Sequence, residues 1–256
     1  MANPRLFDRA VIRLSPTDGA EDVRSFLQGL LTQDTMLISP AAPLWTALLS
    51  PQGKVLFDFF LFADEAAPQN ILIDCEADRA EALAKRLTLY RLRRKIAIAV
   101  DHDLGVFWQR EEAAGPADPR LPELGHRWIG AIGGDDTDSS AEYRAHRLSL
   151  GVTEGAAELG DGQTLWLECN AIELNGVSFT KGCYVGQENT ARMNWRAKIN
   201  RRMVVVPHEQ ADAKRQRAAY PELGMSAEHR RVEDLANAVL PEWLSAAVQS
   251  SGNADS

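Results

Sequence analysis

The residues best equipped for chemistry sit in one run of eight, Lys181-Gly182-Cys183-Tyr184-Val185-Gly186-Gln187-Glu188. A thiol, an ammonium, an amide and a carboxylate fall together there, with two glycines among them. Glycine reaches positive φ and permits close backbone approach, so the run reads as a tight loop presenting Cys183. Lys181 lies two residues before the sulfur, and arginines follow. Cations near a cysteine favour the thiolate, the nucleophilic and metal-binding form. Two readings follow: a reactive or metal-touching cysteine, or a small buried thiol in a turn.

The same run, preceded by Gly176-Val177-Ser178-Phe179 and followed by Thr190-Ala191-Arg192 and Arg201-Arg202-Met203, resembles the signature of the YgfZ-type folate-binding proteins. That family shares a superfamily with the aminomethyltransferase (T-protein) of the glycine cleavage system. Other blocks resemble the superfamily in the right order: Leu27-Gln28-Gly29-Leu30-Leu31-Thr32-Gln33-Asp34, Tyr90-Arg91-Leu92-Arg93-Arg94-Lys95-Ile96, the segment from Tyr143 to Gly151, and Leu165-Trp166-Leu167-Glu168-Cys169-Asn170.

The resemblance implies an α+β fold, an antiparallel-rich sheet core of the aminomethyltransferase folate-binding type. It implies a folate-binding accessory factor in iron–sulfur cluster assembly or repair, affecting tRNA-modifying iron–sulfur enzymes, with tetrahydrofolate or a derivative as cofactor. Cys183 would then be a transient thiol kept nucleophilic by Lys181. Glu168 would hold the pterin edge, with Asn170 in the same block, Tyr143 against the ring and Phe7 nearby. Gln187 belongs to the signature, and Arg93 to a rim that attracts the glutamate tail. The partners implied are folate and transient iron–sulfur client or assembly proteins. The alternative within the superfamily is a folate-dependent aminomethyl or methyl transferase. It requires a carboxylate base, and Asp58 is the candidate, since Phe57-Asp58 stands where the transferases carry two acids. A thiol hydrolase pairing Cys183 with His208, and an interaction scaffold without ligand, are further readings.

Several elements must position these residues. Strands are expected at 9–14, 45–49, 55–62, 71–75, 96–100, 105–108 and 127–131, with the pair at 45–62 joined by a Pro-Gln-Gly turn. Helical spacing marks 20–31, with Asp18 as its cap, and 78–87; Ser140 is expected to cap a helix ending at Gly151. Asp58 falls in the apolar run Phe57-Asp58-Phe59-Phe60-Leu61-Phe62, either on the polar face of an edge strand or aimed into a pocket. Arg91, Arg93, Arg94 and Lys95 read as a solvated face or as an anion-attracting rim. After Met203 the expectation is one strand and an amphipathic helix over 226–239, so that the superfamily's C-terminal β-barrel is absent or reduced. The domain reading is a folate-binding core over 1–203, readable as two intertwined subdomains, a reduced region over 204–249, and a disordered tail over 250–256.

The chain's 256 residues are 45% hydrophobic and 25% charged, ordinary values for a globular protein with a substantial core. A formal net charge of −8 argues against sequence-independent nucleic-acid binding, so no direct nucleic-acid partner is expected. Three cysteines without CxxC or Cys/His ligand spacing disfavour a disulfide framework and a resident metal site. No apolar run approaches the roughly 20 residues of a membrane span, and no signal-peptide core precedes the first strand. A reducing, cytoplasmic setting is the expectation.

Overall fold

The computed structural model describes residues 3–111, 115–195 and 199–252. Strands β1 (Asn3–Arg5) and β2 (Arg9–Pro16) precede helix α1 (Val23–Gln28), followed by β3 (Leu44–Leu49), β4 (Val55–Ala63) and β5 (Ile71–Glu76). Helix α2 (Ala80–Arg91) leads to β6 (Ile96–Asp101), β7 (Leu104–Gln109), β8 (His126–Ala131) and β9 (Asp136–Asp138). Helices α3 (Ser140–Ser149), α4 (Gly155–Leu159) and α5 (Gln187–Trp195) come next. The chain continues with β10 (Arg201–Pro207), β11 (Gln216–Tyr220), β12 (Met225–Arg231) and α6 (Glu242–Gly252).

Among the described residues three sheets form: an antiparallel sheet in the order β3-β4-β5-β2-β6, a sheet β8-β7-β1-β9 in which β1 and β9 run parallel, and an antiparallel sheet β10-β12-β11. This is the α+β, antiparallel-rich class that the resemblance implies.

The largest sheet is covered on both faces, which explains its near-continuous apolar strands. On β4, Phe59 and Leu61 face a cluster with Val23, Phe26 and Leu27 of α1 and Leu83 and Leu87 of α2. Phe60 and Phe62 face the opposite cluster, with Trp45, Trp108, Tyr143 and Trp166. Side chains alternate along a strand, so Asp58 lies on the second face with Phe60. Because β4 is flanked by β3 and β5, the edge-strand placement considered for Asp58 is corrected: it is an interior residue, 4% exposed.

Two boundaries shift for electrostatic reasons. Asp22, not Asp18, caps α1 by accepting from the Arg24 N–H at 2.9 Å, while Asp18 pairs with Lys95 at 2.8 Å. Ser140 opens α3, but its hydroxyl accepts from the Phe7 N–H at 2.8 Å and so ties the β1–β2 connection to that helix.

The expectation for 204–249 is corrected from one strand and a helix to strands β10, β11 and β12 with α6 after them. Strand β10 begins at Arg201, so the boundary drawn at 203 falls inside it. The segment read as a helix over 226–239 opens as β12, because its inward residues Ser226, Glu228 and Arg230 are polar and hide the period of two. Glu228 and Arg230 are buried together as an ion pair at 2.7 Å. Of the tail expected over 250–256, the backbone to Gly252 is helical and 253–256 lie outside the described residues.

Candidate functional site

The Cys183 loop is held in place by long-range contacts from both ends. Lys181 Nζ donates to the carbonyls of Gln28 at 2.7 Å, Leu31 at 2.6 Å and Gln33 at 3.0 Å, at and just beyond the end of α1. An ammonium has three donors, so all are engaged away from the sulfur. Burial lowers its pKa from 10.5 to about 8. The role expected for Lys181 is therefore corrected, from activating the thiol to anchoring the loop. At the other end Gly186 has φ +81°, and a Cβ there would sit 2.4 Å from the Ser50 carbonyl oxygen in the β3–β4 turn. Gly182, by contrast, has open space around it.

Between these anchors Cys183 is exposed. Gln187, the first residue of α5, donates its side-chain Nε2 to Cys183 Sγ at 3.3 Å and accepts the Tyr184 N–H on Oε1 at 3.1 Å. A cavity of about 200 Å³ adjoins the sulfur, lined in part by Phe179, Tyr184, Gln187 and Ala191. The other cysteines differ. Cys75 and Cys169 are buried, and burial pushes the Cys75 thiol up to about 12 and raises that of Cys169. Of the two readings of Cys183, the buried thiol in a turn is excluded.

Tyr143 and Asp58 belong to a buried ionic layer between the two larger sheets. Tyr143 Oη donates to Glu154 at 2.7 Å and accepts from Arg120 at 2.6 Å. Arg120 also pairs with Asp118 at 2.7 Å, while Asp74 receives Arg9 at 2.6 Å and Arg127 at 2.5 Å. Burial alone would raise the Glu154 carboxyl, yet Arg120 and Arg9 hold it well below the usual range. Asp58 accepts from the Gly155 N–H at 3.1 Å and from the Trp45 indole at 3.4 Å. Burial, and next the charge of Glu154, raise its pKa. The layer is hard to see in the sequence because Arg120 and Asp118 lie in a Pro- and Gly-rich stretch without apolar periodicity. The available signal was Asp74, an acid inside the apolar run Ile71-Leu72-Ile73-Asp74-Cys75.

The remaining expected ligand residues are dispersed. Glu168 accepts from its own Leu165 N–H at 3.4 Å, and His229 Nε2 lies 3.2 Å from it. Asn170 is fully buried, donating to the Met203 carbonyl at 2.9 Å and accepting from Arg202 at 3.0 Å. Phe7 is 48% exposed, with the Arg5 guanidinium 5.0 Å from its ring centre. Arg93 is exposed after α2. Its neighbours Arg94 and Lys95 pair with Glu21 and Asp18, each at 2.8 Å, which makes this segment a solvated structural face.

A pterin needs several polar groups converging on one slot. Here the Tyr143 hydroxyl and the Asn170 amide are committed within the protein, and neither they nor Glu168 line the cavity beside Cys183. The expected set does not fit the ring as a single site. Among the described residues, no group of three or more His, Cys, Asp or Glu side chains could hold a metal ion. No described helix is long and apolar enough to cross a membrane.

No protein-family model matches the chain. A crystal structure of the glycine cleavage system aminomethyltransferase T from Bartonella henselae matches with a TM-score of 0.60 at 11% identity, covering 90% of this chain and 78% of that one. The fold is that of an aminomethyltransferase T. In sequence, the chain is 34% identical over 235 residues to the human protein named "Iron-sulfur cluster assembly factor IBA57, mitochondrial", covering 79% of this chain and 65% of the relative. The homologue from Neurospora crassa is 30% identical over 232 residues, covering 78% of this chain and 52% of that one. The chain thus spans less than two thirds of either relative. Similarity to these assembly factors, rather than a YgfZ type as such, is the finding. The cytoplasmic expectation is corrected by the same names, since the human, fungal and mouse relatives are all mitochondrial. Free thiols suit any reducing compartment and do not single out the cytosol.

Proposed function

We propose that this chain is an accessory factor in iron–sulfur cluster assembly, with Cys183 as the point where it meets a cluster carried by an assembly partner. The observation that carries the reading is an exposed thiol on a loop pinned by Lys181, with the Gln187 amide on its sulfur. The relatives named as iron–sulfur cluster assembly factors support it.

In this reading Cys183 loses its proton to solvent and its sulfur lone pair coordinates an iron of the incoming cluster, which is cargo. A hydrogen bond from an amide stabilises the anionic sulfur without competing for the metal. One thiol supplies one ligand, so the partner keeps the others and the association stays transient. Phe179, 43% exposed beside the sulfur, offers apolar surface to such a partner. Radical enzymes that modify tRNA are among the iron–sulfur clients the reading covers. Reduced folate enters it through the family resemblance alone, and equilibrium titration with tetrahydrofolate tests that part separately.

The experiment for the thiol is complementation. Cells lacking their own factor of this kind receive the wild-type chain, Cys183→Ser or Cys183→Ala, and iron–sulfur enzyme activity is assayed under oxidative stress. Both variants are expected to accumulate normally and fail to restore activity. Full restoration by Cys183→Ala would refute the role.

A further inference from the structure

A separate cavity of about 270 Å³ lies on the three-stranded sheet, walled by Arg201, Lys214, Arg215, Arg217, His229 and Arg231. Among the described residues no carboxylate lines it, although the chain carries a formal net charge of −8. The register of β10 and β12 sets Arg201 directly opposite Arg231. Like charges opposed across a ladder destabilise a sheet. The next pair in the ladder, Arg202 opposite Arg230, points to the other face. There the protein provides counter-charges, Glu173 at 2.8 Å from Arg202 and Glu228 at 2.7 Å from Arg230.

On the cavity side compensation is incomplete. Arg215 meets Asp212 and Asp234, and Arg231 meets Glu233 at 3.1 Å. Arg201, Lys214 and Arg217 make no ion pair among the described residues. A register shift between Gln216 and Ala218 marks a bulge at Arg217, the kind of irregularity that re-aims a side chain. His229 adds a further nitrogen-bearing side chain to the wall, 10% exposed, with its Nε2 3.2 Å from Glu168. Basic residues that discourage edge pairing would account for β10 and β11, but Arg231 and His229 stand on the central strand.

We propose that this cleft binds a small oligoanion, a molecule carrying two or more adjacent phosphate or carboxylate groups. Guanidinium forks match both oxyanions. The volume suits a compact head group rather than a drug-sized ligand. A nucleic-acid strand would call for a longer basic track than one cleft on an acidic chain.

The test is isothermal titration of the full chain with inorganic pyrophosphate and, separately, with citrate at matched ionic strength. Saturable binding of at least one is expected, weakening as salt rises. The double variant Arg201→Gln/Arg217→Gln should weaken it at least tenfold. Lys214→Gln, at an exposed position, should weaken it severalfold and serves if the double variant folds poorly. The tighter probe identifies phosphate or carboxylate as the preferred group. Absence of saturable binding by both anions, or binding that neither variant weakens, overturns the proposal.

Discussion

Gln187 donates to Cys183 Sγ at 3.3 Å while its Oε1 takes the Tyr184 N–H at 3.1 Å, so one side chain both opens α5 and touches the thiol. A sulfur so placed should react faster than one facing water alone. Gln187→Leu removes the donor, and a partly exposed hydrogen bond of roughly 0.5–1 kcal/mol corresponds to a rate lowered about two- to fivefold. Gln187→Glu sets a like charge beside the thiolate and should slow it further. Iodoacetamide alkylation of Cys183 at pH 7 measures both. Rates unchanged in the two variants would mean that the amide has no hold on the sulfur.

Gly186 and Gly182 should respond in opposite ways to alanine. At Gly186 a Cβ meets the Ser50 carbonyl at 2.4 Å with φ at +81°, whereas at Gly182 nothing lies within 4 Å. Gly186→Ala is expected to cost at least about 2 kcal/mol in urea unfolding and to loosen the thiol loop. Gly182→Ala should stay within about 0.5 kcal/mol of wild type. Equal effects at both positions would contradict the close approach of the β3–β4 turn.

Tyr143 is tied to the ionic layer, and its variant separates a structural from a ligand role. Tyr143→Phe leaves Arg120 and Glu154 facing each other without the hydroxyl that each contacts at 2.6 and 2.7 Å. The expected loss is about 1–3 kcal/mol in urea unfolding. Any affinity for tetrahydrofolate should be unchanged in the same variant. A selective loss of folate affinity with stability intact would return Tyr143 to a binding role.

Short-range patterns in the sequence were enough to place the β3–β4 hairpin, β5, α2 and α3, because their apolar spacing and turn residues are local. The cysteine loop was legible for the same reason. The destinations of Lys181 and Tyr143 were not, since each is set by partners distant in the chain. Lys181 bonds carbonyls about 150 positions away, and Tyr143 depends on Arg120 being folded inward from a loop-like stretch. Strand β12 was hidden by a different cause: its inward face is the buried pair Glu228 and Arg230, so hydropathy there runs against the usual pattern.

The same buried chemistry predicts a pH effect at Glu76. Both its oxygens accept the Ala156 N–H at 3.0 Å, but burial, and next the charge of Asp58, raise its carboxyl from 4.5 to about 7. Between those values the folded chain keeps a proton that the unfolded chain has released. Stability from this group is therefore fully present below pH 4.5 and is lost as pH rises through about 7. The shift corresponds to roughly 3 kcal/mol, which partial exposure reduces to about 1–2 kcal/mol. Glu76→Gln has no proton to lose, so its stability relative to wild type should rise by that amount between pH 4.5 and 8. Urea unfolding of both chains at the two pH values gives the comparison. Parallel pH dependence in the two would place the titrating group elsewhere.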